Sequence, residues 1–367
     1  MDRITFDTRA FERYTAPMSD ISQRKRDHIE LCTTGPVGFR EATTLFECVR
    51  LVHDALPELS VDDIDTSVTL LGKKLRAPLV IAAMTGGTEE AAELNRTLAS
   101  IAEERGYGFG LGSQRAMHRK SELAYTYRVR EAAPTALVLG NVGMMQAREM
   151  SNEQLRELAG AIGADALCVH LNPAMEIVQP EGDRDFRGGI PLFSRLVEGL
   201  GIPVVAKETG NGISHRAASK LRAAGVRHVD TSGAGGTSWV GVETLRAKDE
   251  AKRLGEALWD WGIPTAASTM ACAHAGFESI IATGGVKSGS DVARALALGA
   301  SAAGIARPAL QALREGGREG AVRLFEDIER ELRALMLLTG SRTVRDLSRA
   351  PKMITGALRE WRELLSG

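Results

Sequence analysis

From about residue 78 onward the chain repeats one unit, a short apolar run without alternation followed by a helical pattern that glycine closes. The runs span 78–83, 108–112, 136–140, 165–170, 203–207, 228–231, 279–283 and 302–306. Unbroken apolar runs of this length suit strands buried on both faces, which is the condition of a parallel sheet covered by helices. Between them, Leu94, Leu98 and Ile101 share a helix face that ends at Gly106. Leu155, Leu158 and Ile162 do the same before Gly163, and Asp291 is expected to open a helix carrying Val292, Ala295 and Leu296 that Gly299 closes. Eight such units predict an α/β protein, a (β/α)8 TIM barrel. A doubly wound open sheet is the other arrangement of the same units.

With 367 residues and 44% apolar content the chain can fill one large barrel core. Residues 1–77 read as an N-terminal extension that covers part of the barrel or its mouth, 78–317 as the barrel, and 318–367 as two C-terminal helices. Phe325, Ile328, Leu332 and Leu335 form one stripe of the latter. The segment 243–261 reads as one charged helix inserted over the active face. No repeat of fixed period and no Pro/Gly/Ser linker divides the chain, so a single domain, 1–367, is expected.

Lys plus Arg (46) balances Asp plus Glu (47), which argues against a general nucleic-acid binder. The four cysteines lack CxxC spacing and read as reduced thiols of a cytoplasmic protein. The first thirty residues hold no apolar signal core, and no run of about 18 apolar residues suggests a membrane span.

Barrel enzymes work at the C-terminal ends of their strands. Polar groups follow every run here: Met84 and Thr85 after Ala83, Ser113 to Arg115, Asn141, His170 to Asn172, Lys207 and Glu208, Thr231 and Ser232, Gly284 to Lys287, and Ala306-Arg307. The glycines Gly284 and Gly285 would let backbone approach a phosphate between the last two units, with Lys287 or Arg307 adding charge. A second cluster runs from Ser232 to Thr237. Either cluster alone is also what a tight turn needs. Lys207 ends an apolar strand, so it either snorkels to the surface or meets a buried anionic group, as at the N1/C2 edge of a flavin. Glu176 stands in a polar segment after the fourth run, either as a Mg²⁺ ligand or as part of a solvated loop. Arg24, Lys25 and His28 belong to a basic cluster that has a use only if the N-terminal arm folds over the mouth and grips a diphosphate.

Together these motifs resemble the type 2, FMN-dependent isopentenyl-diphosphate delta-isomerase family over about residues 24–351. They include RKRDHI (24–29), AMTGG (83–87), GSQRA (112–116), HLN (170–172), VQPEGDR (178–184), AKETGNGIS (206–214) and SGAGGTSW (232–239). WGIPTA (261–266), GGVKSGSDVARALALGA (284–300) and LTGSRTVRDL (338–347) complete the set. The resemblance implies interconversion of isopentenyl and dimethylallyl diphosphate, a redox-neutral 1,3-proton shift that uses reduced FMN, Mg²⁺ and NADPH as reductant. It implies flavin contacts at Ala83, Met84, Thr85, Ser113, Asn141, Lys207, Ser214, Thr237, Gly284, Gly285, Lys287 and Ala306. For the prenyl diphosphate it implies contacts at Arg24, Lys25, His28, Ser113, Arg115 and Asn172, with His170 and Asn172 catalytic and Glu176 the Mg²⁺ ligand. A homo-oligomer, tetramer or octamer, is implied as well.

One position departs from the family pattern. Where the family has Gln before the Mg²⁺-binding Glu, this chain has Met175. Methionine donates no hydrogen bond and accepts only weakly. Either flavin and water suffice for the proton shift, or the chain is a paralogue with a modified substrate or reaction, or it binds flavin without catalysis. A 2-hydroxy-acid oxidase would need Arg and His at the mouth, and the loop after the sixth run has neither.

Overall fold

The computed structural model describes residues 18–365, so the reading of the first seventeen lies outside the described residues. The expected strands form Leu79–Ile81, Gly108–Gly110, Leu137–Gly143, Ala166–Leu171, Val204–Glu208, His228–Asp230, Ser279–Thr283 and Ala302–Ile305. Each pairs in parallel with its neighbours, and the last returns to the first with Ala303 opposite Leu79. The sheet is therefore a closed eight-stranded barrel and not an open one.

Alternate strand residues fill the lumen. Val80, Leu139, Cys168, Val205, Ile281 and Ala302 form one buried cluster with Leu70 and Leu75. Those two leucines come from an antiparallel hairpin, Val68–Leu70 with Lys73–Leu75, turned through Leu71 and Gly72 at positive φ. The hairpin closes the end of the barrel where the strands begin. Chemistry is thereby confined to the opposite mouth.

The helices end where their sequences say. Thr88 caps Glu89–Arg105 and Gly106 ends it at φ 69°. The helix after the seventh strand is capped by Ser288, whose Oγ accepts from the Asp291 backbone, so Asp291 lies inside the helix instead of opening it.

The C-terminal expectation of two helices needs correction. The segment Arg307–Leu338 is two helices parted where Gly316 and Gly317 leave helical geometry, and it is followed by the helix Val344–Arg349, the strand Lys352–Ile354 and the helix Gly356–Glu363. That strand pairs antiparallel with Val49–Leu51, tying the extension to the C-terminus. Phe325, Ile328 and Leu332 are buried as the stripe required, each contributing about 1.5–3 kcal/mol of apolar burial, while Leu335 is only partly covered. The single helix expected over 243–261 is two, Trp239–Arg246 and Asp249–Leu258, broken where Ala247 and Lys248 become extended just before Asp249 takes φ 50°. Among the described residues no helix is long and apolar enough to cross a membrane, and the four cysteines are free thiols.

Candidate active site

The strands' C-terminal ends open into a cavity of about 450 Å³, within the range of roughly 300–1,000 Å³ that small ligands and cofactors occupy. Its floor is the uppermost polar layer of the lumen. His170 sits opposite Lys207 in the sheet register. Asn141 Nδ2 donates to the Leu111 carbonyl, so its Oδ1 is left to accept from His170 Nδ1 at 2.9 Å. This network puts the imidazole proton on Nδ1 and leaves the Nε2 lone pair free. Burial, then the charges of Lys207 and Arg115, push the His170 pKa down to about 4, so the ring is neutral at physiological pH. Lys207 Nζ donates to the Glu208 carbonyl and pairs with Asp230 at 3.1 Å.

Glycine backbone builds one wall. A Cβ on Gly236 would fall 2.3 Å from the Gly285 nitrogen, and one on Gly284 would fall 2.2 Å from the Gly233 carbonyl oxygen. The loops after strands six and seven therefore pack main chain to main chain, with Thr265 donating its Oγ1 proton to Gly284 O and its backbone N–H to Ala234 O. The helix that opens the segment Arg307–Leu338 begins at the same rim, where Ala306 and Arg307 line the cavity, a setting suited to phosphate, whereas the N–H groups that open Gly289–Ala297 are taken by Glu331 and Ser288. Arg307 itself is committed elsewhere, to the carbonyls of Cys32 and Gly35.

The extension does cover the mouth. Helix Met18–Thr34 lies over it, held by those Arg307 bonds, by Gln311 to Thr33 O and by His28 to Glu243 at 2.8 Å. It carries Arg24 and Lys25 into the cavity. Lys25 Nζ donates to the Gly86 carbonyl and to Tyr127 OH. Burial, then the neighbouring Arg24, push the Lys25 pKa down to about 7. Burial lowers the pKa of Arg24, with Arg115 adding to the effect, and burial, then Arg119, lowers that of Arg115; the buried Nε of each has no hydrogen-bond partner among the described residues. Cations gathered this way without a bonded acceptor fit an anionic ligand.

Glu176 faces these cations. Its Oε1 accepts from Asn172 Nδ2 and its Oε2 from the Asp183 backbone, each at 2.9 Å. Both oxygens keep lone pairs. No cluster of three His, Cys, Asp or Glu side chains suited to a metal occurs among the described residues. A Mg²⁺ at Glu176 would fill its shell with phosphate oxygens and water, its usual manner. Met175 lines the cavity with its sulfur 3.9 Å from Asn172 Nδ2.

The sites read from the sequence converge here. Arg24, Lys25, His28, Ala83, Met84, Thr85, Ser113, Arg115, Asn141, His170, Asn172, Met175, Glu176, Lys207, Thr237, Gly284, Gly285, Lys287 and Ala306 all line the cavity. Ser214 does not; its Oγ caps the helix His215–Ala223. Gln146, Gln179 and Trp239 line it too; Gln179 and Trp239 fall inside the VQPEGDR and SGAGGTSW motifs without an assigned role, and Gln146 carries no sequence pattern. Glu208 gathers the backbone N–H groups of Thr209, Asn211 and Gly212 on one oxygen, shaping the loop after strand five. Burial raises its pKa to about 7 against those bonds.

An FMN-dependent dehydrogenase family model matches residues 18–277 and again 193–354. The chain is 44% identical over 347 residues to the isopentenyl-diphosphate delta-isomerase of Methanosarcina mazei, covering 93% of this chain and 94% of that one. The enzyme of the same name from Aeropyrum pernix is 44% identical over 346 residues, covering 93% and 92%. Among solved structures, a mandelate oxidase mutant with an FMN adduct superposes with a TM-score of 0.62 over 92% of this chain and 100% of its own. At 18% identity it shares the fold alone.

Proposed function

Because this chain belongs to the isopentenyl-diphosphate delta-isomerase family, we propose that its barrel mouth interconverts isopentenyl and dimethylallyl diphosphate on a bound reduced FMN. The observation that carries this reading is the layout of the cavity. A lysine and a neutral histidine form its floor, glycine main chain forms one wall, and Arg24 and Arg115 face it with a buried Nε each that has no partner among the described residues.

The residues fit the cofactor. The glycines of the sixth and seventh loops leave no room for side chains, so backbone can meet a phosphate. Lys207 and Asn141 offer donors to the ring, and Met84, Thr85, Ser113, Thr237, Lys287 and Ala306 stand around them. Ser214 would act on the flavin only through the loop that its helix anchors. When bound, reduced FMN supplies an electron-rich ring and an acid–base nitrogen.

The chain's own groups do the rest. Arg24, Lys25, Arg115 and Asn172 are placed to grip the diphosphate, and Glu176 would hold a Mg²⁺ that offsets its charge. This remote grip fixes the alkene against the floor. His28 holds the covering helix through Glu243 and so keeps Arg24 and Lys25 in place. Neutral His170 keeps a lone pair at Nε2 to accept or pass a proton, and it adds no positive charge where the alkene itself becomes cationic. The Met175 thioether meets Asn172 and supplies no hydrogen-bond donor there. NADPH as the reductant, a tetramer or octamer as the assembly, and a cytoplasmic location belong to the same reading.

The test is incubation of photoreduced protein with Mg²⁺ and isopentenyl diphosphate in deuterated buffer, read by NMR. Deuterated dimethylallyl diphosphate is the expected product. Unchanged substrate without deuterium uptake would show that the site binds without this chemistry.

A further inference from the structure

Asp230 ends the sixth barrel strand and sits opposite Lys207 in the sheet register. Its Oδ2 lies 3.1 Å from Lys207 Nζ, and the two side chains are 5% and 8% exposed. Its other oxygen is buried and has no hydrogen-bond partner among the described residues. A buried carboxylate left half satisfied is a poor stability device, because an apolar pair of equal volume would serve as well or better. Asp230 does not line the cavity, whereas Lys207 does. Whatever Asp230 does at the mouth, it does through that lysine.

The surroundings leave this pair as the main source of charge under the floor. His170 is neutral. Burial, then Asp230, push the Cys168 thiol up to about 12, so it carries no charge. Glu208 turns its carboxylate to the backbone of its own loop.

We propose that Asp230 is a positioning residue that aims Lys207 at the flavin and offsets its charge, keeping the bound ring electron-rich. This rests on the flavin reading given above. An unpaired lysine would present a full unit charge to the ring and favour electron uptake. Paired at 3.1 Å, it presents a dipole, whose influence is weaker and falls faster with distance. A reaction that passes through a cationic alkene profits from that arrangement, since a ring not drained of electron density by an unpaired lysine stabilises the developing positive charge more strongly.

The experiment is the two-electron reduction potential of the flavin in the purified holoprotein, measured against a reference dye, for the parent, Asp230→Asn and Asp230→Glu. Asparagine keeps the shape and an acceptor for Lys207 but removes the charge. The expected result is a tenfold or greater shift toward the reduced flavin, which is about 30 mV upward for a two-electron couple. Asp230→Glu should return the potential toward the parent value. An Asn variant whose potential matches the parent, with only its melting temperature lowered, would overturn the proposal in favour of a packing role. If Asp230→Asn purifies without flavin, retention of flavin at parent potential by Asp230→Glu supports the charge role, and loss in both variants overturns it. A colourless parent would count against the flavin reading itself, whereas a coloured parent whose potential does not respond counts against Asp230 alone.

Discussion

His28 Nε2 lies 2.8 Å from Glu243 Oε1, and this contact fastens the helix over the barrel mouth to the helix after strand six. Glu243 is 1% exposed, and its second oxygen takes Arg246, which also reaches Asp27. Two helices distant in sequence are thus joined through one carboxylate, directly beside Arg24 and Lys25.

His28→Ala removes one strut and leaves the barrel intact. Inorganic diphosphate should bind more weakly by about 1–3 kcal/mol, roughly 5- to 150-fold, while flavin content is retained. Isothermal titration with Mg²⁺ present checks this. Parent-like affinity would mean that the remaining contacts of the helix suffice.

Lys25 gives the site a pH dependence. Its pKa in the free protein is about 7, and a bound anion favours its charged form. Binding therefore takes up a proton above pH 7, and diphosphate affinity should fall as pH rises from 7 to 9. Lys25→Met should flatten that slope. Free-protein stability has the opposite sign: between about 7 and the ordinary lysine value the unfolded chain binds the extra proton, so stability rises with pH. Melting temperature against pH, parent beside Lys25→Met, reads it.

Gly285 sits at φ 71°, where a Cβ would fall 2.5 Å from Thr44 Cγ2 and 2.7 Å from Gly235 O. Gly285→Ala must push two loops apart. Purified protein should lose most of its flavin absorbance while keeping the barrel's circular dichroism. Full flavin occupancy would remove this loop from the phosphate site.

Met175→Gln puts an amide where a thioether now meets Asn172. One added hydrogen bond at the reacting end should raise isomerase turnover, roughly tenfold. Unchanged or lower turnover would show that Met175 is not a lost catalytic position.

Glu176→Gln keeps the acceptor for Asn172 and removes the charge that would hold Mg²⁺. Turnover should drop at least tenfold at limiting Mg²⁺ and recover partly at high Mg²⁺. A variant with the parent's Mg²⁺ dependence would place the ion elsewhere.

The barrel and its rim were legible because buried parallel strands are unbroken apolar runs, and each announces its C-terminal end by the first polar residue. Short antiparallel pairings outside the barrel were not. The strand Lys352–Ile354 and the plugging hairpin exist through long-range pairing and carry no period of their own. The break between Arg246 and Asp249 was hidden because Ala247 and Lys248, good helix formers, are extended there and leave no sequence mark. Ser214 was placed at the site by its motif, yet locally it does what serine before a helix does. Asp230 went unnoticed because its place opposite Lys207 depends on register between strands.

The central claim is that this mouth isomerises a prenyl diphosphate on a flavin that keeps its electrons. It is tested most directly by giving anaerobic protein Mg²⁺ and isopentenyl diphosphate, with the flavin oxidised or photoreduced, and following product and flavin absorbance together. The expected result is many turnovers to dimethylallyl diphosphate in the reduced sample, a constant reduced-flavin spectrum, and no product in the oxidised one. Product formed with one flavin reoxidised per molecule, or no product in either sample, would contradict it.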